Sequence, residues 1–444
     1  MGDRVMTYGD WYETVAWLFA GNPIEVPAVE QRARLLFLDT LGCMIAGLAK
    51  PEPRAMLASM AALEPGRIIL PGAAAALTAG SAAYMAGLAA CWDEACEGLP
   101  RAHGRPGLHS FAAALALGLG RQHNLDGTLG ALVAGFEVAG RLGEYLRIPP
   151  GMHVDGTWGT FGAVTAAARL LGLPVERAVA ALQGAACQLP WSLYLPISHG
   201  ATVRNAYVGE AARRGIFQAM ATEAGITAPP GAIETFDRLA LGGEGAAKTL
   251  APAGEWLIEQ GYLKPFAAVR HVHYGAQAAI DWRHRHDQAD TTKIEALDLR
   301  IYGEAITYCG NRAPDTPIQA QFSLSYGLAW TLVNGDLGPE AYHDASLSNG
   351  EVRRLEALVT IAEEPRFTTQ NKRAARLTVS TAAGSETLAV DAVPGEIDLP
   401  LPAGDVEDKF IRYVAPILGA GRAREMTSAM LQAPLSSSLV NLLA

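Results

Sequence analysis

Four stretches of this chain, residues 80–92, 109–120, 128–146 and 156–173, are so rich in Ala and Gly that helices built from them carry little side-chain bulk to hold their axes apart. Helices of this kind pack closely on one another, so the pattern predicts one tightly packed, mostly helical body over residues 1–265. Residues 29–47, VEQRARLLFLDTLGCMIAG, add apolar positions at helical spacing, with Pro27 as a start signal and Gly47 as a stop. Asp39 falls among apolar neighbours there and reads as a hydrogen-bonded structural acid. Asp126 and Gly127 read as a turn ahead of the 128–146 helix.

The composition changes after Lys264 and Pro265. TKIEALDLRI, residues 292–301, alternates apolar and polar residues like a half-buried strand, and ARLTVSTAAGSETLAVDA reads as two strands joined through Ala383 and Gly384. Helices are expected from about residues 326 and 350, and helical character returns near Val406. The expected fold is therefore mainly α: a large discontinuous all-α helical domain made of residues 1–265 and 395–444, with a smaller α+β domain inserted at 266–394. A chain of 444 residues makes more than one domain the natural expectation.

Half of the residues are hydrophobic and 18% are charged, with a formal net charge of −10 and no basic run. Phosphate backbones need clustered Lys and Arg, so a nucleic-acid partner is not expected. The apolar run at 71–91 is built from Ala and Gly rather than Leu, Ile and Phe, which suits an interior helix and not a bilayer span. The N-terminal stretch MGDRVMTYGDWYETVAW lacks the uninterrupted apolar core of an export signal. Cys43, Cys91, Cys96, Cys187 and Cys309 form neither a CxxC pair nor a zinc ladder, so reduced thiols and a cytoplasmic location are expected.

Two cations stand out. His153 and Arg204 each sit just ahead of a small-residue helix, where outward-pointing N–H groups attract anions, and this layout suggests a carboxylate site. Between the 80–92 and 109–120 helices lies WDEACEGLPRAHGRPGLHS, too rich in Gly, Pro and charge to continue either one. It reads either as a loop displaying functional groups or as a solvated connection.

Taken together, LLFLDTLGCMIAG (35–47), LVAGFEVAGRLG (132–143), GMHVDGTWGTFGAVTAAARLLGL (151–173), GATVRNAYVGEAARRG (200–215), KPFAAVRHVHYGAQAAID (264–281) and AQFSLSYGLAWTLVNG (320–335) resemble the MmgE/PrpD family, which includes 2-methylcitrate dehydratase, cis-aconitate decarboxylase and iminodisuccinate epimerase. The resemblance implies a helical domain with an α+β lid, a cleft between them, a homodimer, a small carboxylate substrate, and no organic cofactor or metal. It also implies site residues. His273 would move a proton α to a carboxylate, which suits an imidazole near neutral pH. Arg204, where relatives often carry Lys, would hold a carboxylate through two parallel hydrogen bonds. His153 and Tyr326 would donate to the substrate or to a developing enolate. Lys264 and Arg270 would steer a dianion.

The chain also departs from its relatives. Where many carry DFDD followed by HPS, it has CWDE, which puts Cys91 in place of the first Asp and keeps Asp93, which the resemblance implies as a substrate-binding residue, and Glu94. RPG, residues 105–107, stands opposite HPS, leaving His103 or His109 to supply the imidazole, with His103 preferred. The expected activity is that of a lyase resembling 2-methylcitrate dehydratase. Epimerisation, decarboxylation and a binding protein that has lost catalysis stand as alternatives, because a fold does not choose among reactions that share an enolate-like intermediate.

Overall fold

The computed structural model describes residues 7–243, 250–286 and 290–444; the first six residues of the N-terminal stretch discussed above lie outside them. The chain is mainly α-helical. The helices that position the site are α1 (Pro27–Leu48), α2 (Ala79–Cys91), α3 (Pro106–Gly120), α4 (Leu125–Tyr145), α5 (Gly159–Leu170) and α6 (Ala206–Glu223). Pairs among α2, α3, α5 and α6 pack closely, as do α3, α4 and α5. At the crossing of α2 and α6, a Cβ on Gly87 would meet the backbone of Gly209 at 3.0 Å, so only glycine lets the axes come this near.

Several predicted boundaries move. Helix α1 does not stop at Gly47 but runs to Leu48, and Gly47 serves contact instead, since a Cβ there would lie 2.0 Å from the Ala89 carbonyl oxygen. Helix α4 begins at Leu125, capped by the Asn124 side chain accepting from the Gly127 N–H at 2.9 Å, so Asp126 lies in its first turn rather than in a preceding turn. Helix α3 starts at Pro106, a residue suited to a first helical position, and so includes His109.

After residue 265 come α7 (Arg270–Arg285), α8 (Leu324–Asn334) and α9 (Gly350–Leu358) with a four-stranded sheet of β1 (Ile294–Ile301), β2 (Val359–Glu363), β3 (Ala375–Thr381) and β4 (Gly384–Val390). The strand order is β2-β1-β3-β4, with β1 parallel to β2 and antiparallel to β3. An irregularity between Ile294 and Ala296 resets the alternation, so that Leu297, Leu299 and Ile301 are the buried set. Strand β2, which directly continues α9, was not anticipated. Helix α10 (Ala403–Leu418) packs back on α1, where Lys409 donates to Asp39 Oδ1 at 2.6 Å and gives that acid its structural partner. No described helix is long and apolar enough to cross a membrane.

Candidate active site

The loop between α2 and α3 is not a solvated connection. Residues 93–99 are all buried, held by paired backbone hydrogen bonds between Gly98 and Tyr262 at 3.0 and 2.7 Å and by Leu99 N–H donating to the Gly104 carbonyl at 2.8 Å. This path forces two non-glycine residues, Glu94 (φ 52°) and His103 (φ 53°), into the left-handed region. Such strain persists where the surroundings hold a residue in place, and it gathers at functional sites.

Glu94 is the hub. Its Oε1 accepts from Lys264 Nζ at 2.7 Å, and its Oε2 accepts from Arg105 Nη1 at 3.1 Å and from Arg204 Nη2. Burial works to raise its pKa, but Arg105, Arg204 and Lys264 together prevail and hold it well below the usual carboxylate range. Arg105 Nη2 also donates to Asp155, whose pKa is likewise lowered against burial, chiefly by Arg105. Cys91 Sγ lies 3.1 Å from Arg105 Nη2 and 3.0 Å from Arg204 Nη1.

This cluster forms one wall of a cavity of about 250 Å³. The cavity is also lined by His103, His153, His271, Tyr194, Tyr262, Tyr308, Arg270 and Arg373, so residues from both sides of position 265 contribute to it. Its lining carries six basic side chains, Arg105, Arg147, Arg204, Lys264, Arg270 and Arg373, against three acidic ones, Glu94, Asp155 and Glu304. In a chain of net charge −10 this is a local inversion of sign, and it suits an anionic ligand.

Of the residues singled out in the sequence, the structure brings His103, His153, Arg204, Lys264 and Arg270 to this cavity. It does not bring His273, Tyr326 or Asp93. His273 turns into the core, with Nε2 3.0 Å from the Ala268 carbonyl oxygen and its ring edge-on to Phe266. His271 lines the cavity instead, with Nδ1 2.7 Å from the Tyr302 hydroxyl and the ring stacked on Tyr308. Both lie on α7, where a separation of two residues is about 200° of rotation and puts them on opposite faces. Tyr326 donates its hydroxyl to the Ala341 carbonyl, beneath the guanidinium of Arg353. Asp93 turns away from Glu94 to pair with Lys50 at 3.1 Å.

The two-bond carboxylate grip expected of Arg204 takes a different form. Its Nη1 already donates to Asn205 Oδ1 at 2.9 Å and contacts Cys91, its Nη2 is on Glu94, and only the buried Nε lacks a partner among the described residues. Arg270 is the more open cation: Nη2 is on Glu396, while Nε and Nη1 have no hydrogen-bond partner among the described residues, and its guanidinium lies 4.3 Å from the Tyr262 ring centroid. His153 Nδ1 accepts the Asp155 N–H at 3.0 Å, which places the ring proton on Nε2. Burial pushes its pKa down to about 4, outweighing Asp155, so the imidazole is neutral at pH 7. Burial and then the neighbouring Arg373 and Arg270 hold His271 well below the usual range too.

Asp155 was missed in the sequence, although its place two residues after His153 and just ahead of α5 was a readable sign. His271 was visible, but without the helix phase it could not be separated from His273.

The MmgE/PrpD N-terminal domain matches residues 13–242, and the MmgE/PrpD C-terminal domain matches residues 266–433. This chain belongs to the MmgE/PrpD family. Among relatives of this MmgE/PrpD chain, the human cis-aconitate decarboxylase is 25% identical over 410 residues, covering 86% of this chain and 82% of the human one. The mouse cis-aconitate decarboxylase is 27% identical over 256 residues, covering 53% and 50%. The MmgE/PrpD family includes dehydratases and decarboxylases, which supports a lyase-type activity at family level.

Proposed function

We propose that this chain is a lyase acting on a small carboxylate that carries a second anionic group, by removing a proton from the carbon next to a carboxylate. The observation that carries this reading is the cavity whose basic side chains outnumber its acidic ones two to one around three imidazoles. Arg270 and the Nε edge of Arg204 receive the carboxylates. His103, with His271 in the place first given to His273, handles the proton, and His153 donates from Nε2. An imidazole that is neutral in the empty cavity is already in its basic form, and a bound dianion raises its pKa toward neutrality, where it accepts a proton more readily. As the proton leaves, charge develops on the carboxylate oxygens, and the fixed cations stabilise it without reorganising. In a dehydration, a protonated imidazole then gives its proton to the departing hydroxyl, which leaves as water. These steps call only on the chain's own acid–base groups.

The similarity to cis-aconitate decarboxylases favours a second reading. There the same cations would draw electrons from the carbon losing carbon dioxide, and an imidazole would protonate the resulting carbanion. The homodimer implied by the family resemblance would cover exposed apolar residues on and beside α6, namely Leu193, Leu195, Phe217 and Met220.

Incubation with hydroxylated tricarboxylates, unsaturated tricarboxylates and aminodicarboxylates in deuterated water, followed by NMR, tests these readings. An alkene product supports dehydration and carbon dioxide release supports decarboxylation. Solvent deuterium at the α carbon with no other product moves the assignment to epimerisation. Binding with neither exchange nor turnover overturns the enzymatic reading.

A further inference from the structure

The charge around Glu94 does not balance. Among the described residues, Arg105, Arg204 and Lys264 contact only two carboxylates, Glu94 and Asp155, and all five residues are at most 5% exposed. Between the two guanidiniums, where a third carboxylate would complete the count, stands the fully buried Cys91. With a neutral thiol there the cluster keeps one uncompensated positive charge. An uncompensated buried charge is unfavourable, and anything that brings the missing negative charge is drawn to it. The cluster has a loose end on this account: Arg204 Nε is buried and has no hydrogen-bond partner among the described residues, and Arg204 lines the cavity.

We propose that Cys91 is a specificity-determining residue: a neutral thiol between Arg105 and Arg204, it leaves the cluster one negative charge short, and a substrate carboxylate in the cavity supplies that charge. The proposal rests on the carboxylate reading given above. Cys91 does not line the cavity and acts through the two arginines, so it sets which ligand charge is accepted and not the chemistry that follows. Burial favours the protonated thiol, and it outweighs the opposing pull of Arg105 and Arg204.

The isosteric pair Cys91→Asp and Cys91→Asn, made in the full chain with Cys91→Ser as the mildest change, reads the charge separately from the shape. Calorimetric titration at pH 7 with propane-1,2,3-tricarboxylate, which has no hydroxyl to lose, measures binding without turnover. The expected result is that Cys91→Ser and Cys91→Asn bind within about threefold of the unsubstituted protein, that Cys91→Asp binds at least tenfold more weakly, and that ligand-free Cys91→Asp melts higher than Cys91→Asn. Equal affinity of the Asp and Asn variants overturns the proposal. So does a thiolate absorbance near 240 nm at pH 7 that vanishes in Cys91→Ser, because a thiolate would already close the count. Should the unsubstituted protein bind none of the carboxylates, the functional reading falls, and the melting comparison still judges the charge shortage: a higher melting temperature for Asp upholds it and an equal one overturns it.

Discussion

Two buried ionic groups meet along residues 94–97 and at Lys264, and they close in different ways. At the joint between α1 and α10, the Lys409 ammonium gives its three protons to Asp39 Oδ1 at 2.6 Å, the Ala95 carbonyl at 2.7 Å and the Lys264 carbonyl at 2.8 Å. One cation meets one carboxylate, and the remaining acceptors are backbone. On the other side of the same segment, three cations meet two carboxylates and a thiol beside a cavity. Burial is similar in both, so burial alone does not mark a site. What separates them is whether the charges are complete without a guest. The closed group ties α10 to α1, and the open one has a reason to bind an anion.

Breaking the closed group is expected to have the largest effect on stability. Lys409→Met leaves Asp39 buried without its cation and is expected to lower the unfolding free energy by about 3 to 5 kcal/mol, read as a shift in denaturant midpoint. If stability hardly changes, the joint is not the tie described here. Arg204→Ala acts on the open group, where Glu94 keeps Arg105 and Lys264. It is expected to weaken carboxylate binding by about 2 to 5 kcal/mol while costing less stability than Lys409→Met. The reverse ordering would show that the open group is structural and would undo the comparison.

The contrast sharpens on α7. His271→Gln is expected to reduce turnover by about a hundredfold or more, the usual worth of a positioned general acid or base. His273→Gln, in the core, is expected to lower the melting temperature and leave kcat within a few fold. Equal losses of turnover at the two positions would contradict the assignment of opposite faces.

These two histidines also show where sequence reasoning ran out. Small-residue helices and alternating strands are local patterns, so their positions were legible to within a few residues. Which face of α7 looks into the cavity depends on where the helix starts and what it packs against, and two residues of error there exchange a cavity-lining residue for a core residue. Glu94 and Arg105 sit on the loop that follows Cys91 at the end of α2, its course is fixed by pairing with Tyr262, more than 150 residues away in the chain, and no local pattern reports that pairing. That Tyr326 lies off the cavity was not legible either, since the oxygen that accepts its hydroxyl proton belongs to Ala341, on the segment that follows α8. Strand β2 is only five residues long and continues a helix without a break, so neither turn chemistry nor a clear alternation announced it.

Glu97 supplies the smallest and most specific test, because it lies between the two groups and belongs to neither. Its carboxyl accepts the Leu108 N–H at 2.9 Å near the start of α3, and Oε2 has no partner among the described residues. Burial pushes its pKa up to about 8, ahead of the opposing effects of the Leu108 hydrogen bond, Arg105 and Lys264. A carboxyl raised in the folded state binds its proton more tightly there than in the unfolded chain. Its contribution to stability is therefore complete below the unfolded value near 4.5 and is lost as pH rises through about 8. Between pH 6 and 8 the loss is expected to be about 2 kcal/mol, seen as a falling denaturant midpoint. Glu97→Gln keeps an acceptor for Leu108 and does not titrate, so its midpoint is expected to fall less over the same range. An equal fall in both proteins would place the alkaline loss elsewhere, in which case the open cluster around Glu94 becomes the first place to look.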